Sequence, residues 1–214
     1  MPRSSPRKAK QYHLDELTER RAGRDPIRLF LRWFAEAKKV GFLEPEACAL
    51  ATATRDGRPS VRFVLLKRCE QRGFLFFTSY QSRKGRELSE NPRAALAIHW
   101  DKLERQVRVE GRVELASSEE SDSYFRSRLL VSRLGTWASR QSNVIRGRSE
   151  IERRLEAARK KFPLDDIPRP PHWGGYWLVP DRIELWQGRP NRLHDRILFT
   201  RRARGGWKRE RLSP

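Results

Sequence analysis

The chain has 214 residues, 37% of them hydrophobic, and its 47 Lys and Arg outnumber 27 Asp and Glu for a formal net charge of +20. Seven Trp and ten Phe need a core or an interface and exclude a disordered chain. The charge invites anionic partners (nucleic acid, an acidic membrane surface or phosphorylated small molecules), but residues 126–161 carry eleven Arg and Lys and residues 189–214 carry nine, a spread unlike a detachable nucleic-acid-binding arm.

The N-terminal segment 1–20 is basic and is expected to be mobile, with one domain over 21–214. It has no apolar run for a secretory signal, and no stretch approaches a membrane span, so the expectation is a cytoplasmic protein with no membrane partner. Asp25-Pro26 is an N-cap followed by a favoured first helical residue. Phe30, Trp33, Phe34, Ala37 and Val40 follow at helical spacing, which predicts a helix over 26–40 closed by Gly41.

The middle reads as strands: 47–54, 60–68 after the Asp56-Gly57 turn, and 74–78 after Gly73. A short helix over 82–90 stops at Asn91-Pro92, and two more strands cover 94–100 and 106–115. In the second, Val107, Val109, Val113 and Leu115 should share one face, with Gln106, Arg108 and Glu110 on the other. Ser117-x-x-Glu120 and Ser149-x-x-Glu152 match the capping box and predict two helices. The first runs through Tyr124 and Phe125. The second carries Ile151, Leu155, Ala158 and Phe162. A Pro-rich connector over 163–171 precedes strands at 176–179, 182–187, 197–202 and 206–211. Eight or nine strands in short meanders, without β-α-β alternation or a G-x-G-x-x-G motif, favour a mainly β fold with peripheral helices, an antiparallel β-barrel.

Four histidines and two cysteines show no metal-ligand spacing, so no metal site is expected, and both thiols read as buried and free. No serine elbow is present. The chain instead sets Arg and Lys beside aromatics, which suits a planar, phosphorylated ligand: guanidinium forks grip phosphate and rings stack on a heterocycle. Arg62 and Lys67 differ by an odd number, so in one regular strand they face opposite sides; an edge strand with solvated charges gives the same pattern. Ser82-Arg83-Lys84 opens a helix, where backbone N–H groups attract phosphate. Tyr124, Arg128 and Ser132, spaced by four, would share a helix face as a phosphate clamp, although a solvated face with a partly buried Tyr fits too. Trp186, Gln187, Arg192, His194 and Arg196 crowd into what should be a hairpin.

Taken in order, these segments resemble the FMN-dependent pyridoxamine/pyridoxine 5′-phosphate oxidases over nearly the whole chain from Tyr12. The matching stretches are Asp25-Pro26, Arg62-x-Val64-Leu65-Leu66-Lys67, Phe77-Thr78, Ser82-Arg83-Lys84, Glu104-Arg105-Gln106-Val107, Tyr124-Phe125 to Arg128, Gln141-Ser142, Trp173-Gly174-Gly175, and Ile183-Glu184-Leu185-Trp186-Gln187 continuing to Arg192-Leu193-His194-Asp195-Arg196. Leu185 stands where that signature usually has an aromatic, and Ala9 where an arginine often precedes the tyrosine matched by Tyr12.

The resemblance implies a split β-barrel and a homodimer, with FMN in the cleft between subunits and both chains contributing. Carried over by position, the FMN contacts are Arg62, Phe63, Val64, Leu65, Leu66, Lys67, Phe77, Thr78, Arg83, Lys84, Gln106, Gln141, Ser142, Trp186 and Arg196. The substrate contacts are Tyr12, Lys67, Tyr124, Arg128, Ser132, Arg192, Leu193 and His194, with Arg192 and His194 closest to the chemistry. The implied reaction oxidises the C4′ amine or alcohol of pyridoxamine or pyridoxine 5′-phosphate to the aldehyde, pyridoxal 5′-phosphate. The hydride passes to the flavin and dioxygen is reduced to hydrogen peroxide. Another split-barrel flavin or deazaflavin oxidoreductase is the alternative of the same fold. A nucleic-acid-binding module is the alternative of another class, and no specific nucleic-acid partner is expected.

Overall fold

The computed structural model describes residues 12–162 and 166–214. Residues 1–11 of the segment expected to be mobile, and 163–165 of the Pro-rich connector, lie outside the described residues.

In chain order the elements are α1 (Glu19–Ala22), α2 (Pro26–Val40), β1 (Ala47–Ala53), β2 (Pro59–Leu65), β3 (Arg68–Glu70), β4 (Gly73–Ser79), α3 (Arg83–Glu90), β5 (Arg93–Trp100), β6 (Arg105–Leu115), α4 (Ser118–Ser127), α5 (Leu130–Ala138), α6 (Arg148–Lys161), β7 (Trp173–Gln187), β8 (Asp195–Arg201) and β9 (Trp207–Leu212). Strands run in the order β2-β1-β5-β6-β7-β4-β3, with β8 on β7 and β9 on β8. The pairs β1–β2, β3–β4, β4–β7, β7–β8 and β8–β9 are antiparallel.

The contacts divide the chain into two units, with β5, β6 and β7 each passing from one into the other. The first unit comprises residues 1–45, 97–109 and 182–214. Here α2 is capped as its sequence requires: the Asp25 side chain accepts from the N–H groups of Ile27 and Arg28, and Gly41 closes the helix at φ 80°. Replacing such a cap by alanine typically costs about 1 kcal/mol. Ile27, Phe30, Trp33 and Ala37 form its buried face. Phe30 and Phe34 stack at 5.6 Å, and each lies about 6 Å from the ring of Trp100. Full burial of a side chain of this size contributes about 1.5–3 kcal/mol.

The second unit comprises residues 46–96 and 110–181. Its helical side is built on Phe125, Leu134, Ala158, Ile167 and Trp173, with Leu155 and Phe162 packed against them. Beneath its strands, Leu75, Ala116 and Trp177 make a second cluster.

Four expectations change. The strand predicted over 60–68 breaks after Leu65, because Leu66 turns into the core and Lys67 N–H bonds to Leu75 O. Arg62 and Lys67 therefore do not lie in one regular strand. The capping box at Ser117 forms in full, but the one at Ser149 does not: α6 starts at Arg148, and Glu150 instead accepts from Arg146 N–H at 3.1 Å. The strands expected at 176–179 and 182–187 are one strand, β7, which runs through Pro180 and pairs with β4 over 173–178 and with β8 over 182–187. Leu115 ends β6 exposed, whereas Val107, Val109 and Val113 are buried as expected. Of the two free thiols, Cys48 is buried and Cys69 half-buried. Among the described residues no helix is long and apolar enough to cross a membrane, and no His, Cys, Asp and Glu group has the makings of a metal site.

Candidate active site

The second unit contains a cleft of about 810 Å³. The end of β2 supplies Phe63, Val64 and Leu65, and the link to β3 supplies Lys67. The end of β4 supplies Phe77 and Thr78, α3 supplies Lys84, and the helical side supplies Tyr124, Arg128, Ser132 and Gln141. Eleven of the residues expected to hold cofactor or substrate thus line one cavity.

Lys84 is the most deeply buried lysine lining this cleft. Its residue is 7% exposed, and its Nζ donates to Thr78 Oγ1 at 3.1 Å and Gln141 Oε1 at 3.4 Å, both neutral. Burial, then the positive charge of Arg62, pushes its pKa down to about 8. An ammonium held among neutral oxygens is stabilised by an incoming anion. The local backbone explains its position. A Cβ on Gly85 would fall 2.2 Å from Tyr80 O, so glycine lets the first turn of α3 lie against the turn that follows β4. The N-terminus of α3 is closed by Ser82 Oγ, which accepts from Gly85 N–H at 3.2 Å, and by Ser142 Oγ, which accepts from Arg83 N–H at 3.1 Å. Ser142 does this at φ 71°, a left-handed conformation costing a non-glycine residue roughly 1–2 kcal/mol.

The cleft also has an aromatic wall. Phe77 stacks on Tyr124 at 4.0 Å and on Trp173 at 5.5 Å. The Arg128 guanidinium lies 4.8 Å from the Trp173 ring centre and donates to Thr136 Oγ1 at 2.7 Å. Burial lowers the pKa of Arg128 from its usual value. Tyr124, Arg128 and Ser132 do not share a helix face. Arg128 ends α4 in an extended conformation and α5 begins at Leu130. The break between the helices, not a spacing of four, brings the three to one cleft.

The first unit carries a second cluster. Tyr12 lies edge-on to Trp186 at 5.7 Å and to His194 at 5.5 Å, and the last two rings are 4.7 Å apart. A Cβ on Gly188 would meet the Tyr12 ring at 2.7 Å, so the ring rests on bare backbone. Glu104 holds the adjoining chain: at φ 55° its Oε2 accepts from the N–H groups of His13 at 2.9 Å and Leu14 at 3.2 Å. Asp195 accepts from Leu17 N–H at 3.0 Å. His194 Nδ1 accepts from Arg189 N–H at 3.1 Å, which puts the proton of the neutral imidazole on Nε2. Burial, and then the charge of Arg192, keeps the His194 pKa below its usual value. Arg192 itself is exposed at φ 62°, beside Asn191 at φ 56° and the exposed Leu193. Gln106 is half-buried on β6.

Four expected cofactor contacts are held by, or buried in, the protein itself. Arg196 grips Glu184 with Nε at 2.8 Å and Nη2 at 3.2 Å. Arg62 and Arg83 both reach the buried carboxylate of Glu87. Leu66 faces the core at 3% exposure. Sequence reasoning missed Glu87, Glu104 and Glu184, the carboxylates that hold these arginines and the N-terminal segment. Only Glu87 left a signal, its spacing of four from Arg83 on a helix.

The cleft has a buried cation, an aromatic wall and a second, Trp-stacked cation, a set that suits a phosphorylated planar ligand. Comparison with known proteins agrees. The family pattern described as pyridoxamine 5′-phosphate oxidase matches residues 34–162, and that described as the pyridoxine 5′-phosphate oxidase C-terminal dimerisation region matches 173–214.

The chain belongs to the pyridoxamine 5′-phosphate oxidase family.

It is thereby an oxidoreductase of the FMN-dependent class. A pyridoxine/pyridoxamine 5′-phosphate oxidase of Gloeothece citriformis is 53% identical over 205 residues, covering 96% of each chain. One from Rubrobacter xylanophilus is 55% identical, covering 96% of this chain and 94% of its own. Among solved structures, PhzG from Burkholderia lata 383, in complex with tetrahydrophenazine-1-carboxylic acid, superposes with a TM-score of 0.87 at 32% identity, covering 94% of this chain and 99% of its own. A related protein of Nostoc punctiforme, 19% identical with a TM-score of 0.72 over 90% of this chain and 100% of its own, shares the fold. The fold is the antiparallel split barrel that the sequence pattern and the family resemblance implied.

Proposed function

We propose that this oxidase converts pyridoxamine and pyridoxine 5′-phosphate to pyridoxal 5′-phosphate, with FMN as cofactor and dioxygen as acceptor, releasing hydrogen peroxide. One observation carries the reading: Lys67, Tyr124, Arg128 and Ser132, the residues expected to clamp the substrate phosphate, line the same cleft as the buried Lys84. A two-phosphate requirement explains a cleft with separate cations, Lys84 for the cofactor phosphate and Lys67 with Arg128 for the substrate phosphate. The flavin supplies the two-electron redox chemistry when bound, so the task of the protein is placement and charge. Phe63, Val64 and Leu65 form an apolar margin beside the cations. Gln141 and Thr78 hold Lys84, and Ser142 fixes the helix start beside it.

In the first unit, Trp186 is assigned to the flavin, with Gln106 and Arg196, and Arg192 and His194 to the pyridine ring of the substrate. His194, neutral and protonated at Nε2, is a donor toward the ring substituents of the substrate, and Tyr12 covers that ring with Leu193 beside it. The protein acts as a homodimer in which each chain contributes to the cofactor site. Support comes from the description of residues 173–214 as a dimerisation region, since that stretch contains Trp186, Arg192, His194 and Arg196.

The PhzG likeness favours one rival substrate, a polycyclic carboxylic acid without phosphate. The phosphate clamp argues against it. Steady-state oxidation of pyridoxamine 5′-phosphate, pyridoxine 5′-phosphate, unphosphorylated pyridoxine and tetrahydrophenazine-1-carboxylic acid, followed by peroxide release, separates the two. Turnover restricted to the two phosphates is expected; preferential turnover of the tetrahydrophenazine carboxylic acid overturns the assignment.

A further inference from the structure

Glu87 is a buried carboxylate with no part in the expected cofactor or substrate contacts. It lies one turn along α3 from Arg83, is 3% exposed, and is surrounded by donors. Its Oε1 accepts from Arg83 Nε at 2.8 Å. Its Oε2 accepts from Ser60 Oγ at 2.6 Å, from Thr52 Oγ1, and from Arg62 Nη2 at 3.3 Å. Arg62 is fixed further by Thr52 Oγ1, Ser60 Oγ and Leu50 O, the last at 3.3 Å. One carboxylate thus gathers two arginines from β2 and α3, the elements that also carry Val64 and Lys84 into the cleft.

We infer that Glu87 is a positioning residue for the phosphate end of the cofactor site, orienting Arg83 and fixing the charge of Arg62 without touching the cofactor. The inference rests on reading this cleft as the FMN site. Geometry supports it. A guanidinium held through Nε alone keeps both terminal amino groups available to an anion, and the Arg83 side chain is 60% exposed. An arginine fixed in advance loses less rotamer freedom when it grips phosphate. Charge supports it too: Glu87 opposes the effect of Arg62 on Lys84 and so helps keep that ammonium protonated. The acceptors on Arg62 are all within the protein, so its contribution at the cleft is a fixed charge and that of Arg83 is the open fork.

The test is titration of apoprotein prepared from the holoenzyme with FMN and, separately, with riboflavin, which lacks the phosphate. Glu87→Gln should weaken FMN binding roughly tenfold, leave riboflavin affinity unchanged, and retain kcat at saturating FMN. Combined with Arg83→Ala, it should add less than it costs alone, because it acts through that side chain. FMN affinity that is unchanged or tighter in Glu87→Gln overturns the inference, as does an equal loss for riboflavin, which marks a structural role. Should Glu87→Gln fail to fold, Ser60→Ala removes one donor from the carboxylate. A smaller loss confined to FMN supports the inference, and unchanged FMN affinity overturns it. Wild-type protein that binds FMN no better than riboflavin refutes the reading of the cleft itself.

Discussion

The two units treat their cations in opposite ways. In the second, the cations that face the cleft have neutral partners: Lys84 donates to Thr78 and Gln141, and Arg128 to Thr136 over the Trp173 ring. In the first, most arginines near the Tyr12 cluster are neutralised. Arg196 is held by Glu184, Arg211 by Glu19 and Asp195, and Arg105 by Asp15 and Glu36 while stacked on Trp33. A net charge of +20 therefore says little by itself. Lys84 and Arg128, which line the cleft, have neutral partners, while Arg83 beside it is oriented by Glu87 through Nε and keeps its terminal amino groups open. The second unit thus offers cations to an incoming anion, while the first presents rings, His194 and the exposed Arg192.

The contrast makes predictions of decreasing size. The largest concerns Arg192, exposed on a strained turn. Arg192→Gln should lower kcat/KM roughly 100-fold while FMN stays bound, because the proposed assignment sets it against the reacting ring rather than the cofactor. Wild-type-like turnover would end that role. Next is the buried ammonium: Lys84→Met should weaken FMN binding roughly 30-fold, from the loss of about 2 kcal/mol in a charge-assisted bond to phosphate, with riboflavin binding spared in a parallel titration. Arg128→Lys keeps the charge but loses the planar fork and the contact with Trp173. It should raise KM for pyridoxamine 5′-phosphate about tenfold with little change in kcat, as read from initial rates. The smallest mutational effect is expected at Tyr12, which covers the Trp186 and His194 rings: Tyr12→Ala should cost about fivefold in kcat/KM.

The cleft should also show a pH signature. Lys84 is protonated below its value of about 8 and loses its charge above it. A bound phosphate favours the charged form, so FMN affinity should fall as pH rises through 8 and be insensitive to pH between 6 and 7 from this group. Equilibrium titrations across that range check the sign: affinity rising above pH 8 would contradict it.

Much of this was legible from residues alone. Helix α2 followed from Asp25, Gly41 and an apolar face at helical spacing, and eleven of the residues that the family resemblance named line one cleft. The failures were physical and local. The Ser149 capping box competed with Glu150, which reached back to Arg146, and the helix starts two residues earlier than that box requires. The strands expected at 176–179 and 182–187 are one, because the two halves of β7 bond to different neighbours. Arg128 looked helical by spacing, but its backbone is extended. The carboxylates were invisible for another reason. Glu87, Glu104 and Glu184 act through tertiary partners, and a lone acidic residue in a sequence does not say whom it will meet. Leu185, the departure from the family signature, is fully buried and bears on packing rather than on any polar group.

The central claim is that a flavin placed by this cleft accepts electrons from a B6 phosphate held beside it. The direct measurement is the absorbance spectrum of the purified, FMN-loaded protein, recorded without oxygen before and after addition of pyridoxamine 5′-phosphate. Bleaching of the flavin band, with stoichiometric pyridoxal 5′-phosphate and recovery of the band on admitting air, is the predicted result. A band that persists with no aldehyde formed, or a protein that takes up no FMN, would contradict the account.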